Sequence, residues 1–316
     1  MSGLSEGDNT TRPKEFHLVV NGSAGSAHRE RVFAALKIGL PQLAPCIHEP
    51  ATVFQLQTLI RSLPQREDLV IAGGDGTLQC ALPTLLETQR PFVILPLGTA
   101  NDFANHWGFT PDLLSIYHCL NRRVLRRADV IQCNDVYFAT VGGLGVGSIL
   151  TRDFNAMRRF STLFKQASHL AGTNIYTGLA AATIVGRRSY LRKYEIETEN
   201  EIRSGLYSNV FVCNQPRLGG DLLVAPQART TDGLFDVLLL KGKTPYELLA
   251  SLAKMRLRGE PMLSERVRAK EMVIRSLDGM GNLLFADGES FELASELRFK
   301  VHQQALNILT AGDFVA

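Results

Sequence analysis

The chain has 316 residues, 45% of them hydrophobic and 21% charged, with a net charge of +3 and a pI near 8.6. That length accommodates two domains, and that composition excludes an intrinsically disordered chain. So small a charge gives no reason to expect nucleic acid as a partner. The five cysteines, Cys46, Cys80, Cys119, Cys133 and Cys213, form no CxxC pair. They read as reduced thiols, and no Cys/His cluster of the zinc-binding kind stands out. Met1 to Lys14 is polar and carries no apolar h-region, so a secretory signal is not expected.

The first half alternates between strand and helix patterns. Phe16 to Val20 is a strand candidate, followed by the small-residue turn Asn21 to Ser26 and a helical spacing over His28 to Ile38. Val53 to Leu63 is a second helix candidate. Leu69 to Ala72 predicts a strand, Gly73-Gly74-Asp75-Gly76-Thr77 a turn, and Leu78 to Leu86 a helix. Phe92 to Leu95 is a further strand, and Pro96 to Asn101 the turn after it. Such alternation predicts βαβ units around a parallel sheet, with all three turns on the sheet edge where ligands bind. The first turn, Asn21 to Ser26, taken singly is explained by the chain reversal that any α/β unit needs. Together the three turns suggest a phosphate site, because a strand, a glycine turn and a helix start present free N–H groups to an anion. Glycines there let the backbone approach a ligand and reach φ > 0 where needed. Asp75 would repel phosphate, so it needs a metal ion or a set of donors beside it. Thr99 and Asn101 offer neutral donors, and Asp102 alone reads as a first-turn acid that favours the helix dipole.

From about residue 127 the pattern changes. Arg122 to Arg127 reads as a basic connector. Strand-like runs follow at Asp129 to Val141, Tyr190 to Glu197, Leu206 to Cys213, Phe235 to Leu240, Glu271 to Arg275, Glu296 to Val301 and Ala305 to Leu309. Helical patterns interrupt them at Arg158 to Ile184 and Pro245 to Leu257. This predicts a largely antiparallel second domain. Gln166 to Gly186 has no formal charge but is rich in Ala, Gly, Ser and Thr, so it reads as a packed helix and no stable transmembrane span is expected.

The residues Gly73-Gly74-Asp75-Gly76-Thr77, Leu95 to Ala104 (LPLGTANDFA), Gly219-Gly220, Ala225-Pro226, Asp232-Gly233 and Asp287-Gly288-Glu289 occur in one order across most of the chain. In this the sequence resembles the diacylglycerol kinase catalytic-domain family, which includes sphingosine and ceramide kinases and small bacterial lipid kinases. The LGTANDFA stretch discriminates; GGDGT is shared with NAD kinases and phosphofructokinases. Two departures stand out. Gly22 follows Asn21 where the family has proline, and Gln79-Cys80 replaces a pair that ends in an acidic residue.

The resemblance implies an α/β fold: an NAD kinase/phosphofructokinase-like domain over 14–126 with a parallel sheet, then a β-sandwich-like lipid-substrate domain over 127–316. Its last strand is expected to pack back on the first domain. It implies an ATP-dependent kinase that transfers the γ-phosphoryl group to a lipid hydroxyl, diacylglycerol foremost. ATP would lie against Asn21, Gly73, Gly74, Asp75, Gly76, Thr77, Gly98, Thr99, Asn101 and Asp102. Asp232 would hold a structural Mg²⁺ with the carbonyls of Arg229 and Leu234, an oxygen-only set suited to a hard cation. Glu289 would be the base, with Asp287 as alternative; the two face one cleft if the segment is extended. Asp75 would organise the nucleotide or metal. The protein would be cytoplasmic and meet its lipid substrate at the inner membrane surface, and a homodimer is left open. Basic clusters such as Arg122 to Arg127 and Arg256 to Lys270 read equally as solvated surface or as headgroup contacts. Phe154, Met157, Phe160 and Phe164 read as core packing before acyl-chain lining. The rival readings are an NAD kinase-like small-molecule kinase and a nucleotide- or lipid-binding protein without turnover.

Overall fold

The computed structural model describes residues 14–20, 43–160, 184, 191–220 and 222–312. Asn21, the turn to Ser26, the helix expected over His28 to Ile38 and nearly all of Gln166 to Gly186 lie outside the described residues.

Four parallel strands open the chain: β1 (Lys14–Val20), β2 (Leu43–His48), β3 (Leu69–Gly73) and β4 (Phe92–Pro96), in the order β2-β1-β3-β4. Every residue of β3 and β4 is buried, as strands covered on both faces require. Helices α1 (Val53–Ser62), α2 (Asp75–Thr88), α3 (Asp102–His106) and α4 (Leu113–Arg122) accompany them. Caps set their ends. The Thr52 hydroxyl accepts from Gln55 N–H, Asp112 accepts from Leu114 N–H, and α4 ends on Arg123 in the left-handed region.

The remaining strands pair antiparallel among themselves. They are β5 (Val124–Cys133), β6 (Val136–Phe138), β7 (Val141–Gly145), β8 (Arg192–Thr198), β9 (Ile202–Tyr207), β10 (Asn209–Cys213), the short pair β11 (Arg217–Leu218) and β12 (Leu222–Leu223), β13 (Phe235–Leu240), β14 (Ser264–Ala269), β15 (Glu271–Ser276), β16 (Asn282–Ala286), β17 (Glu289–Leu293) and β18 (Glu296–Thr310). Two more helices, α5 (Val146–Phe160) and α6 (Pro245–Arg256), sit among them. β14-β13-β10-β7-β16-β17 form one sheet. Its inner face packs on β5, β6, β8, β15 and β18 through Leu144, Val210, Val212, Phe235 and Leu284 against Phe138, Tyr194, Ile274, Leu297 and Phe299, which is a β-sandwich.

Strand β18 joins the two parts. Its first half pairs with β15, its second half reaches β4 in parallel at Ile308, and β5 lies antiparallel along most of it. The two runs expected at Glu296 and Ala305 are thus one strand, bent by an irregularity between His302 and Leu306, with Gln304 at φ 50°. The basic connector is corrected as well. Arg122 ends α4, and Arg126 and Arg127 lie within β5. Strand β2 and helix α4 had no counterpart in the sequence pattern. Among the described residues, no helix is long and apolar enough to cross a membrane.

Candidate active site

Helix α2 starts at Asp75, three residues before the periodicity places it, so Asp75, Gly76 and Thr77 form its first turn. Gly73 and Gly98 carry the turns after β3 and β4, and Leu97 N–H donates to Gly73 O at 2.9 Å. The turns touch: a Cβ on Gly74 would lie 2.8 Å from Gly98 Cα, and one on Gly98 2.7 Å from Gly74 Cα. None of Gly73, Gly74, Gly76 and Gly98 has positive φ. These glycines serve close approach and not left-handed backbone, which narrows the expectation. Asn101 is also redirected. Its Oδ1 accepts from Gly98 N–H at 2.8 Å and its Nδ2 donates to Gly98 O at 2.9 Å, so the amide braces its own turn. Thr99 Oγ1 is buried with no hydrogen-bond partner, an orphan hydroxyl beside the glycine turns.

Asp75 has its donors. The N–H groups of Asp102 and Phe103 donate to its two oxygens at 3.0 and 3.1 Å, capping α3 across the turns. Asp102, expected only to complement the helix dipole, reaches further: Gly219 and Gly220 N–H donate to its two oxygens, each at 2.7 Å. Those two glycines stand at φ 61° and 82°, so consecutive N–H groups converge on one carboxylate. Asp287 is the third member. Ala139 N–H, Thr140 N–H and the Thr140 hydroxyl donate to it at 2.9, 2.8 and 2.5 Å.

Burial outweighs these bonds. It pushes the Asp75 carboxyl up, and it pushes Asp102 and Asp287 to about 7. The charge of Asp75 adds to the rise of both, and Asp287 adds to that of Asp102. Among the described residues, no Lys, Arg or His pairs with any of the three, so the cluster has an unmet demand for positive charge.

The extended reading of Asp287 to Glu289 is overturned. Asp287 and Gly288 are the two left-handed residues of a hairpin turn, with Ala286 opposite Glu289. The turn separates the two acids. Asp287 is spent on Ala139 and Thr140, whereas Glu289 starts β17 at the mouth of the first helical turn. A Cβ on Gly76 would lie 2.8 Å from Glu289 Oε1. Asn155 on α5 donates to Gly288 O at 2.9 Å and to Glu289 Oε2 at 3.3 Å. Asn155 had no sequence signal, since a lone helical asparagine has no pattern. Cys80, where this sequence lacks the acid of the family pattern, sits close enough for Glu289 to add to the burial that raises its thiol.

Asp232 lies elsewhere, between buried Asp129 and Asp236, and its charge raises both of their carboxyls beyond the main effect of burial. Leu234 N–H donates to Asp232 Oδ1 at 3.1 Å, Arg268 Nη2 bonds Oδ2, and Arg268 Nε lies 3.4 Å from Asp236 Oδ2. A cation on Asp232 would displace Arg268 from its oxygen, and the second carboxylate at the guanidinium, Asp236, could keep Arg268 in place during that exchange. Of the basic clusters, Arg122 and Arg126 bond Ala311 O and Gly312 O, and Arg123 pairs with Asp68. Phe154 is buried and Met157 exposed; the side chain of Phe160 and all of Phe164 lie outside the described residues.

Residues 15–133 match the diacylglycerol kinase catalytic domain, and residues 162–310 the YegS C-terminal NAD kinase beta sandwich-like domain. A Shewanella frigidimarina protein named "Probable lipid kinase YegS-like" is 28% identical over 57% of this chain and 56% of its own length. A Pseudomonas putida protein of the same name is 31% identical over 78% of each chain. A crystal structure from Bacillus anthracis str. Sterne, assigned to the diacylglycerol kinases, superposes with a TM-score of 0.72 over 96% of this chain and 100% of that one, at 19% identity. On these matches the chain belongs to the diacylglycerol kinase-like, YegS-like family of lipid kinases.

Proposed function

We propose that this protein transfers the γ-phosphoryl group of ATP to a lipid hydroxyl, with diacylglycerol the foremost acceptor. The observation that carries the reading is the inward-turned cluster Asp75, Asp102 and Asp287, uncompensated by any basic side chain among the described residues, beside the touching glycine turns and Glu289. Phosphoryl transfer is mostly positioning and electrostatics, and a Mg²⁺–nucleotide complex brings the cation that such a cluster lacks.

In this reading Gly73, Gly74, Gly76, Thr77 and Gly98 keep the floor of the site low enough for phosphate, and Thr99 supplies the free hydroxyl. Asn21 belongs to the same proposal by resemblance. Asp75 holds α3 in place through Asp102 and Phe103. Asp102 ties that helix to Gly219 and Gly220, so the two halves of the site move together. Glu289, oriented by Asn155, takes the proton of the acceptor hydroxyl as the phosphoryl group arrives. Asp287 keeps the hairpin at Ala139 and Thr140 and thereby aims Glu289. A structural Mg²⁺ would sit on Asp232 with the carbonyls of Arg229 and Leu234 in exchange for Arg268, supplying charge neutralisation away from the reacting atoms. The protein would act in the cytoplasm, peripherally at the inner membrane face.

The test is ADP release with diacylglycerol, monoacylglycerol, sphingosine, ceramide and phosphatidylglycerol, with and without Mg²⁺. Release that needs both lipid and Mg²⁺ is expected. Phosphorylation of NAD without lipid would favour the small-molecule kinase, and nucleotide binding with no release on any acceptor would favour a binding protein.

A further inference from the structure

The first two strands carry a second set of ligand atoms. β1 and β2 run parallel with His17 opposite Cys46 and Val19 opposite His48. Alternation along a strand puts Cys46 and His48 on one face, and the register puts His17 on it too. His17 Nδ1 lies 2.9 Å from His48 Nε2, and one ligand atom from each of His17, Cys46 and His48 falls within 4.8 Å of the other two. The other ring nitrogen of His17, Nε2, bonds the Glu67 carboxylate. A carboxylate on the far nitrogen of a histidine fixes its tautomer and leaves the near nitrogen as a lone-pair donor, the usual support of a metal-bound imidazole. Cys46 is exposed and β2 is the outer strand of its sheet, so the cluster is open to solvent.

We propose that His17, Cys46 and His48 bind a borderline-soft divalent metal of the zinc type, with Glu67 orienting His17 and one position left to water. Two imidazoles and a thiolate select such an ion over Mg²⁺ or Ca²⁺, which take oxygen ligands. Tetrahedral coordination at Zn–N distances of about 2.0–2.1 Å sets the two nitrogens about 3.3 Å apart. The pair therefore has to open by only a few tenths of an ångström. A hydrogen-bonded histidine pair would account for the two imidazoles but not for the thiol beside them. The sequence hid the site because His17 and His48 are 31 residues apart, on strands whose pairing the spacing does not reveal. An ion there closes the connection between β1 and β2 and ties the edge strand to the sheet. The inference does not rest on the kinase reading.

The experiment is a Co²⁺ titration of the full-length protein, freed of metal with a chelator that is then removed, followed by displacement with Zn²⁺. One equivalent with tetrahedral visible bands and a thiolate-to-cobalt band in the near ultraviolet is expected. Cys46→Ser should abolish the thiolate band and His48→Ala should weaken binding at least tenfold. Both side chains reach solvent, and an unchanged far-ultraviolet circular dichroism spectrum certifies that each variant is folded. No thiolate band in the wild type, or a band that survives Cys46→Ser, overturns the proposal.

Discussion

Two groups of three aspartates lie in this molecule, and they are balanced differently. Asp232 and Asp236 both hold Arg268, and Asp129 lies close enough for the charge of Asp232 to raise its carboxyl. Among the described residues, Asp75, Asp102 and Asp287 have backbone N–H groups and the Thr140 hydroxyl as partners and no basic side chain. In both groups burial is the main cause of the raised carboxyls, and in both a neighbouring aspartate adds to it. A set of acids that carries its own counter-charge holds structure together. A set without one takes up protons near neutral pH instead, a perturbed titration of the kind that recurs at functional sites.

The sharpest way to break this contrast is at Glu289, which lies against Gly76, next to Asp75 in the first turn of α2. Glu289→Gln should cut lipid-dependent ADP release by about 10²–10⁴-fold with nucleotide affinity nearly unchanged. Turnover at the wild-type rate would remove Glu289 as base. Next is Asp75→Asn, which offers one acceptor oxygen to two N–H donors. It should lose activity and also about 1–3 kcal/mol of stability in urea unfolding. Activity loss without any destabilisation would mean that the cap on α3 contributes little.

Arg268→Met tests the compensated group. Its removal leaves Asp232 and Asp236 facing each other and should cost about 1–3 kcal/mol in the presence of chelator. Millimolar Mg²⁺ should restore more of the melting temperature in the variant than in the wild type. An equal Mg²⁺ response in both would argue against exchange at Asp232.

The pH dependence separates the groups more gently. An unfolded aspartate titrates near 3.9, whereas Asp102 and Asp287 are raised to about 7 in the fold. Between these values the folded state binds more protons than the unfolded state. Stability from this group is therefore full near pH 4, falls as pH rises through about 7, and is level above. Urea midpoints should be higher at pH 5.5 than at pH 8, and Asp102→Asn should shrink the difference. The smallest effect is at Gly76→Ala. Alanine in place of glycine in a helix gains about 1 kcal/mol, while its Cβ would press on Glu289 Oε1. A variant that melts higher and turns over more slowly is expected; unchanged turnover would mean that Glu289 gives way without consequence.

Strand β1, helices α1 and α2 and the apolar runs of β3 and β4 were legible in the sequence, because buried parallel strands leave continuous hydrophobic stretches bounded by glycine turns. GGDGT and LGTANDFA announced the two glycine turns that meet at the sheet edge, and the Asp-Gly pairs announced turns. What each acid does was not legible. Asp102 read as a dipole partner because Gly219 and Gly220 lie more than a hundred residues away. Asp287 and Glu289 read as equivalent because period-2 alternation holds only in an extended chain, and the left-handed pair Asp287-Gly288 breaks it. Local propensity fixes where strands and turns occur. Only the pairing of β7 with β16 and of β1 with β2, and the packing of α3 on the Gly219 turn, decided which carboxylates share a cluster and which histidines meet a cysteine. Those contacts join residues whose separation in sequence leaves no periodic trace.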